Sequence, residues 1–260
     1  MSLFHAVLGS GSSGNSFVFY DGFSSILIDQ GFSLVELKRR LGLVNVPISS
    51  VKAVFLTHFH PDHHKGLGVI SKKLGVPLYI NKNSIIGEDR IFEKLNLPKE
   101  CVNPISPGDL VKVDNFEITS FVTSHDSKGS VGYYISNNET KITFITDTGL
   151  VSEDMLAFAK NSDYLFLEAN YDELLLEKGP YPLKLKNRIR GNWGHLSNNQ
   201  AFCFIKDSEF KGLGVYFIHL SSINNKVSIV DKMATENLDG IDFITCPRGE
   251  LVRTSEVKIE

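Results

Sequence analysis

The sequence of 260 residues is poor in cysteine, with only three. Cys101, Cys203 and Cys246 are an odd number and contain no C-x-x-C pair. This argues against a disulfide framework and against a zinc knuckle. We therefore expect the protein to work in a reducing, cytoplasmic compartment.

Long apolar runs and a strong excess of charge of one sign are also missing. The start of the chain does not combine a basic segment, an apolar run and a cleavage site, and no segment reaches the roughly 18 apolar residues of a membrane span. The formal net charge is -3, and the isoelectric point is about 6.2. We therefore expect no membrane association, and any binding of a polyanion must depend on a local patch.

A glycine-rich stretch near the start, GSGSSG at Gly9–Gly14, matches the dinucleotide-binding pattern G-x-G-x-x-G. That pattern needs a helix beginning at its third glycine, because the pyrophosphate binds at the helix amino end. Here NSFVFYDGFSSILID follows, and its alternation is that of strands. We reject a nucleotide-binding fold and predict a tight turn whose backbone amides are available to a site.

Strand patterns dominate both halves of the chain, and helix patterns separate them. Short apolar runs such as VKAVFLT and KITFITDTG predict buried strands, whereas SLVELKRRLGLV, with Ser33 as its cap, predicts a helix. This mixture fits an α/β (α+β) fold in which two sheets pack face to face with helices outside, a four-layer αββα sandwich. No Pro- or Gly-rich linker divides the chain, so we predict a single domain over residues 1–260.

Half of the eight histidines lie in one short segment, THFHPDHHKG at residues 57–66. His58 and His60 follow a predicted strand and are two residues apart, so their side chains point the same way in extended backbone. Imidazoles crowded beside a carboxylate are typical of a metal site. This segment is therefore the centre of the functional prediction.

The next residues predict a second pair of ligands on a helix. Pro61 favours the first turn of a helix, which we expect to continue through HHKGLGVISKKLG. Asp62 and His63 would then lie at its amino end, close to the first pair. Two pairs suit two metal ions better than one. His64 lies about a third of a turn further round and is predicted to point away.

Additional ligands are needed to complete two coordination shells. His125 in FVTSHD, Asp147 in FITDTG and His219 in VYFIHLS each end an apolar run typical of a strand. Alone, each would be interpreted as a structural residue, and we keep that interpretation for His5. Together with the histidine cluster, the three become expected metal ligands. Asp29 is expected to support the cluster rather than to bind metal.

The order of these motifs resembles the metallo-β-lactamase superfamily: Asp29, H-x-H-x-D-H at 58–63, His125, Asp147 and His219. Further stretches resemble the YycJ/WalJ group within it: SGSSGNS (10–16), SHD (124–126), TDTG (146–149), EANYD (168–172), YPLKLKNRIRGNWGHLSNNQA (181–201) and HLSSINN (219–225). In two places the chain departs from that group, which usually has an aliphatic residue at the position of His64 and a histidine at that of Tyr171.

The resemblance implies an αββα sandwich, a nuclease acting on DNA with 5′–3′ exonuclease activity, and two divalent ions. It further implies which residues hold each ion: His58, His60 and His125 the first, Asp62, His63 and His219 the second, with Asp147 bridging them. Shells of imidazole and carboxylate suit several metals, so both Zn and Mn are expected candidates.

Two residues are assigned to chemistry. Asp62 is expected to orient the nucleophile as well as to bind metal. His195, in GHLSNN, follows a loop rather than a buried strand, so we do not assign it to metal. It is the candidate donor of a proton to the leaving sugar oxygen, with Glu168 as orienting partner. The alternative is that His195 caps the following helix or holds a loop.

A basic stretch precedes His195. Between Glu177 and Asp207 there is no acidic residue, while several basic residues occur: Lys178, Lys184, Lys186, Arg188, Arg190 and Lys206. We predict that Lys184, Lys186 and Arg188 bind phosphate, with Tyr181 and Trp193 available to stack on bases. The alternative is an ordinary solvated surface.

Two other classes of function remain open at this point. A small-molecule hydrolase of the lactam or thioester type would share the metal ligands but would not need the basic stretch. A redox di-iron protein of this fold typically replaces the middle histidine of the cluster by glutamate, and His60 is intact here. Hydrolysis of phosphodiesters in DNA is the leading prediction.

Overall fold

The computed structural model describes residues 3–255, in which two β-sheets of seven strands each pack face to face. A cluster of apolar side chains from both sheets, including Phe17, Phe55, Phe144 and Phe166, fills the space between them. The αββα sandwich expected from the sequence is confirmed. That residues 1–260 form a single domain stays a prediction.

The first sheet consists of β1 (Phe4–Gly9), β2 (Ser16–Tyr20), β3 (Ser25–Ile28), β4 (Val51–Leu56), β5 (Leu78–Asn81), β6 (Val102–Ile105) and β14 (Val252–Arg253). Their order across the sheet is β14-β1-β2-β3-β4-β5-β6. Pairing is antiparallel from β14 to β3 and parallel from β3 to β6. The strands predicted for the segment after the glycine-rich stretch are confirmed as β2 and β3.

The second sheet consists of β7 (Leu110–Val113), β8 (Phe116–Val122), β9 (Val131–Ser136), β10 (Lys141–Ile145), β11 (Tyr164–Glu168), β12 (Gly214–Ile218) and β13 (Asp242–Thr245). Their order is β13-β12-β11-β10-β9-β8-β7. Pairing is antiparallel from β7 to β10 and parallel from β10 to β13. Each sheet therefore has an antiparallel half and a parallel half.

Helices lie outside the two sheets: α1 (Leu34–Leu43), α2 (Pro61–His64), α3 (Leu67–Leu74), α4 (Lys82–Gly87), α5 (Asp89–Leu95), α6 (Glu153–Lys160), α7 (Glu173–Lys178), α8 (Leu183–Ile189), α9 (Asn198–Asp207) and α10 (Val227–Asn237). Short 3-10 helices span Ile48–Ser50 and Lys99–Cys101. Two apolar clusters join the helices to the outer faces of the sheets, one of them containing Leu37 and Leu41 of α1. No helix within residues 3–255 is long and apolar enough to cross a membrane.

The prediction of one continuous helix after Pro61 is wrong, since the helix breaks at Gly66 between α2 and α3. The Gly66 N–H donates to the carbonyl of Gln30 at 2.8 Å, and a Cβ at this glycine would meet the Phe32 carbonyl oxygen at 2.0 Å. The carbonyl of Asp62 accepts from the Asn15 N–H at 2.8 Å. Contacts with the β1–β2 and β3–α1 loops therefore replace helical hydrogen bonds here.

The glycine-rich turn and His5 have the structural roles expected of them. Gly14 N donates to Gly11 O at 2.9 Å, and β2 follows rather than a helix. His5 is buried between the sheets beside Tyr164 and Tyr216, and burial lowers its pKa to about 3.

Candidate metal centre

Polar side chains from both sheets meet at one edge of the sandwich. In the first sheet, Asp29 directly follows β3, and the segment after β4 carries the histidine cluster. In the second sheet, His125, Asp147 and His219 follow β8, β10 and β12. The carboxyl ends of parallel strands lie at the same edge of a sheet, so these segments come together.

A first group of possible metal ligands contains His58, His60 and His125, whose ligand atoms lie within 4.8 Å of one another. Nε2 of His125 lies 3.3 Å from Nδ1 of His60. Nε2 of His58 is buried and has no hydrogen-bond partner among the residues that the structure describes. A buried polar atom without a partner is costly, and a bound cation would satisfy it.

A second group contains Asp62, His63 and His219, again within 4.8 Å. Nε2 of His63 lies 3.7 Å from Oδ2 of Asp62. The side-chain amide nitrogen of Asn15 donates to this Nε2 at 2.9 Å and to Oδ2 of Asp62 at 3.1 Å. An ion in this group would replace the hydrogen bond between Asn15 and Nε2 of His63.

Asp147 lies between the two groups. Its Oδ1 is 3.5 Å from Nε2 of His125, and its Oδ2 is 3.5 Å from Nε2 of His63. Asp147 also forms a group with His58 and His63. The carboxylate therefore faces both sets of histidines, which is the position of a bridging ligand.

The chemistry of these donors fits divalent cations. Donor atoms of a tetrahedral shell with bond lengths of about 2.0–2.1 Å lie roughly 3.4 Å apart, close to the separations seen here. Burial would lower the pKa of His219, but Asp147 and Glu168 raise it to about 10. The pKa of His63 is likewise raised, because Asp29 and Asp147 outweigh its burial. The carboxylates thus favour positive charge in this pocket.

Asp29 supports the cluster from behind. Its Oδ1 accepts a hydrogen bond from the Thr57 N–H at 2.8 Å, and its Oδ2 accepts one from Nδ1 of His63 at 2.7 Å. This fixes the proton on Nδ1 and leaves the Nε2 lone pair of His63 directed at the site. Asp29 belongs to none of the groups of possible metal ligands among the described residues, in agreement with its predicted role.

Glu168, at the end of β11, holds two histidines at once. Its Oε1 lies 2.7 Å from Nδ1 of His195 and 2.7 Å from Nδ1 of His219. Burial alone would raise the pKa of Glu168, but the two histidines lower it to about 2. Since an ionised carboxylate only accepts hydrogen bonds, both histidines carry a proton on Nδ1. The sequence indicated the contact with His195 but not the one with His219.

His195 also belongs to a group with Asp147, Glu168 and His219 whose ligand atoms lie within 4.8 Å. Its Nδ1 is 3.6 Å from Oδ1 of Asp147. The side chain is partly exposed and lines the cleft described below. The structure therefore places His195 beside the metal groups, with Nδ1 engaged by Glu168 and Nε2 left for a ligand.

The two departures from the YycJ/WalJ group are His64 and Tyr171. His64 belongs to none of the groups of possible ligands within residues 3–255. Its ring packs edge to face against Phe59, with the ring centroids 5.9 Å apart. Tyr171 is buried and does not line the cleft.

A cleft of about 410 Å³ opens over the two groups. Besides ligand residues, it is lined by Gly11, Ser12, Tyr181, Arg188 and Arg248. Of the three basic residues predicted to bind phosphate, Arg188 therefore reaches the cleft. Its Nε donates to Oδ2 of Asp126 at 2.5 Å.

The other two residues predicted to bind phosphate do not line the cleft. Lys184 is exposed outside the cleft lining, and Nζ of Lys186 donates to the Glu177 carbonyl at 2.5 Å. Trp193 is 64% exposed and lines a neighbouring groove together with His125 and Asp126. The roles of Lys184 and Lys186 as phosphate ligands stay predictions without a contact to the cleft.

Sequence reasoning missed three residues. Asp126, adjacent to His125, lies 3.4 Å from Nε2 of His60 through its Oδ1. Asn15 bonds to Asp62 and His63, as described above. Arg248 comes from the loop between β13 and β14. The motifs SHD and SGSSGNS contained a signal for the first two, whereas nothing near Arg248 in the sequence indicated a site.

Three site residues adopt left-handed backbone conformations that non-glycine residues seldom adopt. The φ angles are 59° for Asp29, 53° for Asp147 and 60° for His219. Each residue lies within two positions of a strand end, where this turn directs its side chain into the site. Such backbone strain concentrates at functional sites.

The fold agrees with the known proteins that this chain resembles. The family model described as "Beta-lactamase superfamily domain" matches residues 24–220. "Exodeoxyribonuclease YycJ" of Bacillus anthracis is 32% identical over 246 residues, covering 94% of this chain and 92% of the relative. "Exodeoxyribonuclease WalJ" of Streptococcus pneumoniae (strain D39 / NCTC 7466) is 31% identical over 248 residues, covering 92% and 91%. The crystal structure of the metallo-β-lactamase fold protein YhfI from Bacillus subtilis matches with a TM-score of 0.72 and 19% identity, covering 96% of this chain and 99% of that one.

Proposed function

Because this chain belongs to the metallo-β-lactamase superfamily, and within it to the YycJ/WalJ-like group, we propose that the cleft is a two-metal active site that hydrolyses phosphodiester bonds of DNA. The protein is a metal-dependent hydrolase of the nuclease and phosphodiesterase type. The relatives named exodeoxyribonucleases support DNA as the substrate and removal of nucleotides from an end, for which we propose 5′–3′ polarity.

One observation carries this proposal: Asp147 lies between two groups of donors in a cleft that is also lined by arginines. We assign His58, His60 and His125 to one ion, Asp62, His63 and His219 to the other, and Asp147 to both. Zn and Mn both suit this set of imidazoles and carboxylates. When bound, such a pair of ions supplies positive charge to the phosphoryl oxygens and acidifies water.

The protein's own side chains supply orientation and a proton. Asp62 belongs to the second group and lines the cleft, where its carboxylate accepts a hydrogen bond from the attacking water and orients it. His195 donates a proton from Nε2 to the leaving sugar oxygen, so that the alkoxide leaves as a neutral hydroxyl. Glu168 holds Nδ1–H of His195 and stabilises the imidazolium before this transfer. Arg188 contacts a phosphate of the strand from the cleft wall.

We test the proposal with end-labelled double-stranded DNA and added manganese, comparing the wild type with Asp62→Ala. We expect stepwise loss of label with the wild type and at least a hundredfold slower loss with the variant, since Asp62 serves both as ligand and in orientation. Absence of cleavage by a wild type that carries two ions would contradict the DNA assignment. Hydrolysis of a lactam or thioester by that protein would then establish the small-molecule alternative.

We also propose a cytoplasmic location. Cys101, Cys203 and Cys246 are all free thiols, two of them buried, as expected in a reducing compartment.

A further inference from the structure

Three loops that are distant in sequence meet at the rim of the cleft around Arg248. Its Nη1 donates to Oγ of Ser222, in the loop between β12 and α10, and its Nη2 donates to Oγ of Ser12, in the loop between β1 and β2. Arg248, Ser12 and Ser222 all line the cleft that contains the metal ligands. We call these three residues the rim cluster.

The backbone fixes the position of the rim cluster. Gly249 N donates to Ser10 O at 2.9 Å, and Nη1 of Arg40 donates to Gly249 O at 3.0 Å. Gly11 has φ +98°, and a Cβ there would lie 2.8 Å from Cγ of Arg248. A glycine at position 11 therefore leaves space for the arginine stem. The guanidinium is held in place rather than extended freely into solvent.

The same loop connects the rim cluster to the metal centre. Oγ of Ser10 accepts a hydrogen bond from the backbone N–H of His219 at 2.8 Å. Ser12 is two residues further along this loop. The rim cluster consequently lies at a fixed position relative to His219.

The charge of Arg248 is not neutralised by a carboxylate within residues 3–255. Arg188, which also lines the cleft, pairs with Asp126, whereas the side-chain partners of Arg248 among these residues are two neutral hydroxyls. Serine hydroxyls can rotate to donate as well as accept, so the rim cluster can present three donors to an anion. A guanidinium fork matches the geometry of phosphate oxygens.

We propose that the rim cluster binds a phosphate group of the substrate that is not cleaved, next to the scissile phosphate on the same strand. This inference rests on the proposed function, because it requires a substrate with more than one phosphate. Arg248 then sets which substrates are bound well: nucleic acid strands and nucleoside bisphosphates rather than isolated phosphodiesters. It acts in binding and takes no part in bond cleavage.

The experiment measures binding of thymidine 3′,5′-bisphosphate and thymidine 5′-monophosphate to the manganese-loaded protein by titration calorimetry. We compare the wild type with Arg248→Gln and Arg248→Lys, and with Arg39→Gln as a control on the exposed face of α1. The wild type and the control are expected to bind the bisphosphate about tenfold more tightly than the monophosphate, the size of one charged hydrogen-bonded contact. Arg248→Gln loses this preference and binds the monophosphate as the wild type does, and Arg248→Lys retains part of it.

Two results would overturn the proposal: Arg248→Gln keeps the preference for the bisphosphate over the monophosphate, or it loses affinity for both ligands equally. A Ser12→Ala, Ser222→Ala double variant keeps the arginine and so separates misfolding from loss of the site. We expect it to bind the bisphosphate more weakly and the monophosphate with unchanged affinity. The outcome is independent of DNA cleavage. If the wild type degrades no DNA but its preference depends on Arg248, the rim cluster stands and the nuclease assignment fails.

Discussion

At the scale of single residues, Glu168 contacts two histidines for which we propose different tasks. One carboxylate oxygen accepts from Nδ1 of both His195 and His219. In the proposed function, this would direct the Nε2 lone pair of His219 toward a metal ion and would stabilise the charged ring of His195 that gives up a proton. A shared acceptor would then couple metal binding to proton donation.

We predict that His195→Ala slows cleavage of DNA by about 10²–10⁴-fold, the usual contribution of a positioned acid. A p-nitrophenyl phosphodiester has a leaving group that departs without a proton, so on it the variant is expected to lose less than about tenfold. The measurement is kcat on both substrates, with metal content determined in parallel. Equal losses on the two substrates would exclude proton donation by His195.

At the scale of secondary structure, the start of α9 positions His195. Oγ of Ser197 accepts from Gln200 N, and the Gln200 side chain accepts from Ser197 N at 2.8 Å, which forms a capping box. Oγ of Ser197 also donates to Glu173 of α7 at 2.9 Å. This cap therefore anchors the loop that leads from α8 to the site.

We predict that Ser197→Ala lowers the free energy of unfolding by about 1 kcal/mol, a typical loss for a helix cap, and also lowers kcat. Ser152, the cap of α6, provides the matched control, since its Oγ accepts from Met155 N away from the cleft. Ser152→Ala should cost similar stability and leave kcat unchanged. Urea unfolding and DNA cleavage measure the two effects, and an equal change of kcat in both variants would refute the link to His195.

The elements that could be predicted from the sequence carry their own local signals. Helices α1, α6 and α9 combine a serine cap with apolar spacing, and the buried strands β4, β10, β11 and β12 are apolar runs. Helices α4, α5, α7 and α8 have at most seven residues and were not predicted. Strands β13 and β14 were also missed, because short edge strands are defined by pairing with distant neighbours that the local sequence does not show.

At the scale of the whole molecule, the proposed metal ligands come from both sheets. His58, His60, Asp62 and His63 follow β4 of the first sheet, while the other three ligands follow strands of the second. Bound ions would therefore connect the two sheets at one edge of the sandwich. This connection makes the stability of the fold depend on metal.

We predict that a chelator lowers the melting temperature by about 10 °C and abolishes hydrolysis, and that added Mn or Zn restores both. Ligand binding to the native state contributes about 4 kcal/mol when the free ion exceeds its dissociation constant a thousandfold, and each kcal/mol shifts Tm by roughly 2–4 °C at this size. In Asp147→Ala, which lacks the shared ligand, the chelator should lower the melting temperature by a smaller amount. Calorimetry with and without chelator makes the measurement, and an unchanged Tm would show that the sheets are not joined by metal.

The proposed metal ligands could be predicted from the sequence, because each lies in a short segment with its own recognisable pattern. Each proposed ligand lies in the 58–63 cluster or ends an apolar strand, and strands of a parallel sheet bring their ends together. Arg248 gave no such signal, because contacts between distant segments place it at the cleft, among them those of Gly249 with Ser10 and Arg40. The basic stretch shows a different limit: of its three predicted phosphate ligands only Arg188 lines the cleft among the described residues, because charge in sequence does not show which way a side chain points.

The left-handed conformations of Asp29, Asp147 and His219 have an evolutionary consequence. Glycine would adopt these conformations without the cost of about 1–2 kcal/mol that a Cβ incurs, but it would remove a carboxylate or an imidazole from the site. Selection for hydrolysis therefore acts against selection for stability at these three positions. In a lineage that no longer needs the activity, they are where drift to glycine would be favoured, so glycine there would mark a descendant that has kept the fold and lost the enzyme.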